Sequence, residues 1–112
     1  MRNHLNLNLP DLYAKFLLEI KNTSGLIIEG TGITLYSETD LIERNNTYEI
    51  EQYEPNFFLI GQDGDLAFFI KKDTDDTIYS NDLGALGALK MEVVSPNVYE
   101  FISYAKDHYD DL

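Results

Sequence analysis

Cysteine is absent from the 112 residues, which excludes disulfides, thiolate metal sites and a cysteine nucleophile, and leaves packing to hold the fold. Basic residues are scarce: eight Lys and Arg stand against twenty Asp and Glu, a formal charge of -12. Such a surplus repels nucleic acid and anionic membrane and favours cationic partners, so direct nucleic-acid binding is not expected. No apolar run is long enough to span a bilayer, and Met1 to Leu9 mixes Arg2, His4 and three Asn where a signal peptide would be apolar. The expected setting is the cytoplasm, without membrane contact. Histidine occurs only as His4 and His108, neither within a metal-binding motif such as His-Glu-x-x-His.

What is present favours a folded chain. Hydrophobic residues make up 44% and aromatics 12%, far from the apolar-poor profile of a disordered acidic segment. The length fits one core, so residues 1–112 read as a single domain. The charge is unevenly placed: residues 38–82 hold twelve acids and three bases, nine of the twelve net negative charges.

Pro10 and Asp11 suit the start of a helix, and Leu12, Tyr13, Phe16, Leu17 and Ile20 recur at helical spacing, predicting a helix over 10–22 that stops at Asn22 to Gly25. Leu26 to Ile28 and Ile33 to Tyr36 read as two short strands joined through Gly30-Thr31-Gly32. Ser37 and Thr39 offer caps for a second helix carrying Leu41 and Ile42 and ending near Asn45-Asn46. Phe57 to Ile60 and Leu66 to Ile70 flank an Asp63-Gly64 step, a hairpin signal, and their unbroken apolar character predicts strands buried on both faces. Asp73 to Asp76 reads as a turn, Thr77 to Tyr79 and Leu86 to Val94 as strands, and Ser95-Pro96 as the cap and first residue of a helix over 96–107. Without strict strand-helix alternation, the order favours an α+β fold.

Reactive chemistry finds little support. A calcium loop counted from Asp73 would need Gly at its sixth position and Glu at its twelfth, where Ile78 and Gly84 stand. An acid- or metal-dependent hydrolase using Asp63, Asp65 and Asp73 would need a convergent constellation, which their spacing does not supply. Gly84-Ala85-Leu86-Gly87 lacks the Lys-Ser/Thr that completes a phosphate loop. The chain reads as non-catalytic, with no cofactor. Tyr13, Phe16, Phe57, Phe58, Phe68, Phe69 and Phe101 belong to apolar segments and read as core. Tyr48 and Tyr53 differ, lying among Glu49, Glu51 and Glu54. Aromatic area with nearby carboxylates suits a protein interface, so Glu38, Asp40, Glu43, Tyr48, Glu49, Glu51, Tyr53 and Glu54 are the candidate contact residues.

Two blocks carry a family resemblance. Leu9-Pro10-Asp11-Leu12-Tyr13 with Phe16-Leu17 resembles the Leu-Pro-x-x-Tyr-x-x-Phe-Leu helix opening of the SUKH superfamily, named for fungal cell-wall assembly regulators and their bacterial immunity-protein relatives. Arg44-Asn45, Tyr48-Glu49-Ile50, Tyr53, Pro55 and Ile60 to Asp65 are similar to a second block of that family in order and approximate spacing. Thr23-Ser24 separates Asn22 from Gly25 where the family often has Asn-Gly, and many members carry a further helical segment ahead of Leu-Pro. The resemblance implies a central, mostly antiparallel sheet flanked by helices. It also implies an immunity protein that binds a cognate toxin, often a nuclease, in the producing cell's cytoplasm. It offers no catalytic residues to carry over. The alternative expectation is a regulatory or scaffold module that binds a host protein with no toxin involved.

Overall fold

A computed structural model of the chain describes residues 9–72 and 75–108. Helix α1, Asp11–Glu19, begins after Pro10, whose carbonyl accepts from the Ala14 N–H at 2.9 Å. It buries Tyr13, Ala14, Phe16 and Leu17, the stripe that the helical spacing predicts. Its end comes earlier than expected: the Thr23 hydroxyl and N–H both donate to the Ile20 carbonyl, so residues 20–23 close as turns.

Strands β1, Leu26–Ile27, and β2, Thr34–Leu35, form the expected antiparallel pair, with Leu26 opposite Leu35. Helix α2, Glu38–Thr47, follows, and then a four-residue helix absent from the sequence reading, α3, Ile50–Tyr53. Strands β3, Phe57–Asp63, and β4, Leu66–Lys71, turn through Gly64-Asp65. Gly64 has φ +60° at the first central position, which glycine takes freely and which type II′ hairpins favour. Strands β5, Ile78–Asp82, and β6, Glu92–Ser95, complete a six-stranded antiparallel meander in chain order. The fold is α+β.

Successive residues on a strand face opposite sides, so Phe68 and Phe69 lie on different faces of the sheet. Both are fully buried, as are Leu59, Ala67 and Ile70, which is the two-sided burial expected of β3 and β4. On one face, Phe68 meets Phe101 of helix α4, Val98–His108, at 4.8 Å, and α4 in turn packs on α1, where Phe16 meets Tyr99 edge-on at 6.1 Å. On the other, Phe57 makes edge contacts with Phe69 and Tyr79.

Two expectations on the C-terminal side need correction. The predicted cap Ser95 belongs to β6, opposite Ile78. The cap is Asn97, whose Oδ1 accepts from the Glu100 N–H at 2.9 Å, and α4 starts at Val98. Leu86 to Val94 is not one strand. Ala88 and Leu89 donate to the Ala85 carbonyl, after a short 3-10 turn over Leu83–Ala85, so local turns hold the backbone until Glu92. His4 and the Asp73-Thr74 half of the expected turn lie outside the described residues. Among the described residues no helix is long and apolar enough to cross a membrane.

Candidate partner-binding face

The eight candidate residues fall on one continuous stretch, α2 through the end of α3, and both helices pack against β3. Helical geometry divides α2 into two sides. Leu41, Asn45 and Tyr48 turn toward the sheet: Leu41 is fully buried, and the Asn45 side chain donates to the Leu41 and Leu59 carbonyls and accepts from the Leu59 N–H, at 2.8 to 2.9 Å. Thr39, Ile42, Glu43 and Asn46 face outward.

Gln62 of β3 ties this region together. Its amide accepts from the Tyr36 hydroxyl and donates to the Gly64 carbonyl at 2.8 Å and, more weakly, to the Tyr48 hydroxyl at 3.4 Å. Burial pushes the Tyr36 hydroxyl pKa well above the ordinary tyrosine range, against a lesser opposing pull from the Arg44 charge. Gly61 lets β2 approach closely, since a Cβ there would stand 2.5 Å from the Thr34 carbonyl. Tyr48 is therefore a half-buried strut at the end of α2, and Tyr53 is the open aromatic of the pair, 47% exposed.

The carboxylates have different duties. Glu38 and Asp40 lie in the first turn of α2 and complement its positive end. Glu43 is exposed, with only a long 3.9 Å approach to Arg44. Glu51 meets Lys72 at 2.6 Å but is itself 81% exposed, which keeps the pair's contribution small. Glu54 accepts from the Gly87 N–H at 2.8 Å and fastens the β5–β6 connection to the end of α3.

Glu49, between the helices, is the one non-glycine among the described residues with positive φ, at +54°. The N–H groups of Tyr48 and Glu49 close the end of α2 onto Arg44 and Asn46, the position where helices usually place glycine. Holding an L-residue there costs about 1 kcal/mol.

The sequence reading placed Ile42 in the second helix without singling it out as a contact residue. It is 52% exposed, because consecutive helical residues face different directions. The stretch thus presents exposed Glu43, Glu49 and Glu51 with two exposed apolar side chains, Ile42 and Tyr53. Such a surface accepts from cationic groups and offers apolar contact area. Asp63 and Asp65 lie at the β3–β4 turn, and Asp73 is outside the described residues; among those described, no group of three or more His, Asp or Glu is placed to hold a metal ion. No protein-family model matches the chain, and no curated protein matches it.

Proposed function

We propose that this protein is an immunity protein of the SUKH type, which binds the basic surface of a cognate toxin domain in the producing cell's cytoplasm and blocks it. The observation that carries the reading is the outer side of α2 and α3, where Ile42 and Tyr53 stand exposed among Glu43, Glu49 and Glu51. Protein interfaces place apolar and aromatic anchors inside a polar rim, and this stretch has both parts. A nuclease domain fits as the partner class, because enzymes that hold nucleic acid need a basic groove. Acidic groups opposite such a groove accelerate encounter and fix orientation.

Glu49 supports the same face. Strained backbone persists where the surroundings hold it, and it clusters at functional sites. Here it sets a glutamate, where glycine would be easier, at the joint between the two helices.

The test is co-expression with the product of the adjacent gene, read by co-purification and by rescue from toxicity. Glu43→Lys with Glu49→Lys is expected to slow association at low salt by roughly tenfold or more, and Ile42→Asp to speed dissociation. Association rates that ignore the charge reversal would remove this face. No complex and no rescue would leave the scaffold reading in its place.

A further inference from the structure

A second exposed apolar region lies three strands away from β3, at the far edge of the sheet. Strand β6 ends the strand order, and among the described residues nothing pairs with its outer edge. Val93 on that strand is 70% exposed and Leu89, just ahead of it, 62%. Tyr104 of α4 lines a groove of about 240 Å³ with Val93 and Phe68, and an adjoining groove is bordered by Leu89 and Lys90. An uncovered edge strand with apolar side chains is a template for pairing with another strand.

The sequence at this edge is self-complementary. Leu89-Lys90-Met91-Glu92-Val93 alternates apolar and charged residues, and the two charges are opposite and equidistant from Met91. A two-fold axis through Met91 would set each Lys90 opposite the other copy's Glu92, and each Val93 opposite the other's Leu89. A register centred on Glu92 would oppose two carboxylates directly, which is unfavourable across strands. A register centred on Val93 would leave Lys90 opposite Pro96, without a charge partner. Charge complementarity therefore favours the Met91 register and makes the edge fit a copy of itself.

We infer that this chain forms a two-fold dimer by antiparallel pairing of its β6 edges about Met91, with Lys90 of each copy against Glu92 of the other. Two-fold interfaces are isologous, so one self-complementary patch is sufficient. Lys90 and Met91 lie in no helix or strand in the single chain, while the Leu89 N–H and carbonyl are held by Ala85 and Asn81, so the added ladder runs through Lys90, Met91 and Glu92, and Leu89 contributes side-chain contact only. The inference is independent of any toxin, since it concerns a different part of the surface.

Sedimentation equilibrium on the whole chain tests it. The wild type is expected to show a concentration-dependent dimer, and Val93→Lys to remain monomeric with an unchanged far-UV spectrum. Lys90→Glu and Glu92→Lys each turn two attractive pairs into two repulsive ones and are expected to weaken dimerisation by roughly tenfold. The double variant Lys90→Glu/Glu92→Lys restores opposite charges and is expected to recover most of the lost association. A wild type that stays monomeric up to about 1 mM would overturn the inference. So would a double variant as weak as both single losses combined.

Discussion

The side-chain amide of Asn45 pairs with both backbone groups of Leu59, donating to its carbonyl and accepting from its N–H at 2.9 Å each. β2 pairs with β3 at Gln62 and Gly61, and the Tyr36 N–H reaches the Ile60 carbonyl, but on this side of β3 no strand continues alongside Leu59, whose strand partner is Phe69 on the β4 side. Asn45 supplies that missing neighbour from a helix. Leu59 is fully buried, so water cannot take over if the amide is lost. Asn45→Ala is expected to cost about 3 kcal/mol by urea denaturation, because a buried N–H and C=O are left unpaired together. Asn45→Asp keeps the acceptor and loses both donations, and should also destabilise. Full stability in either variant would show that the pairing carries no weight.

Glu49 gives a prediction of opposite sign. Glycine suits φ +54° without steric penalty, although it loses more chain entropy on folding. Glu49→Gly is therefore expected to stabilise by about 0.5–1 kcal/mol. If the strained glutamate is kept for partner binding, the same variant associates more slowly with its target. Glu49→Ala retains the strain and should gain nothing in a denaturant titration.

Asp76 caps α1 from 63 residues away, its Oδ1 accepting from the Tyr13 N–H at 3.0 Å. Pro10 occupies the N-cap position and makes no side-chain cap, so Asp76 supplies a hydrogen-bonding cap to a first turn that also carries Asp11. Asp76→Ala is expected to cost about 1 kcal/mol and to raise hydrogen exchange at the Tyr13 amide. Unchanged exchange there would mean that the cap is not formed in solution.

Much of the fold was legible in local patterns. The stripe of α1, the two short strands before α2, and the β3–β4 hairpin each declare themselves within a few residues, through spacing or a turn-forming glycine. What escaped depends on distant partners. Asp76 reads as a turn residue until the Tyr13 amide is placed beside it, and Ser95 reads as a cap until β6 takes it up opposite Ile78. The residues from Asn45 to Gly64 divide their duties: Asn45 and Gln62 join α2 to β3, Gly61 admits β2, and Gly64 turns the hairpin. Those residues maintain the support of the candidate face, whose exposed members lie between them. Ile42 escaped because an apolar residue beside buried Leu41 does not reveal which side of the helix it occupies.

Tyr13 carries a hydroxyl that is buried without a hydrogen-bond partner, the one such side-chain atom among the described residues. Tyr13→Phe removes that orphan and is expected to stabilise by about 1 kcal/mol. Burial first, and the nearby Glu38 charge second, push the Tyr13 pKa far above its ordinary range. Burial and the bond to Glu19 raise Tyr99 to about 12. A folded-state pKa raised above the unfolded value, about 10 for tyrosine, gives stability that is fully present below pH 10 and lost above it. Thermal midpoints should therefore fall from about pH 10 upward, and Tyr13→Phe should flatten the decline. Ultraviolet titration of the phenols, with Tyr13 ionising only on unfolding, checks the same point.

Glu43 and Glu54 were one class in the sequence and are two in the structure. Glu43 is exposed with only a distant approach to Arg44, whereas Glu54 holds the Gly87 N–H and with it the β5–β6 connection. Reversal at Glu43 should leave stability within about 0.5 kcal/mol of wild type, as surface changes usually do. Glu54→Lys should cost about 1–2 kcal/mol, because it removes a charge-assisted acceptor and leaves the Gly87 N–H facing a cation. Glu54→Gln keeps an acceptor and should recover part of the loss. Paired denaturation and association measurements then separate the two duties. Glu43→Lys should alter partner association alone, and a Glu54→Lys protein as stable as wild type would show that the loop is not held through this carboxylate.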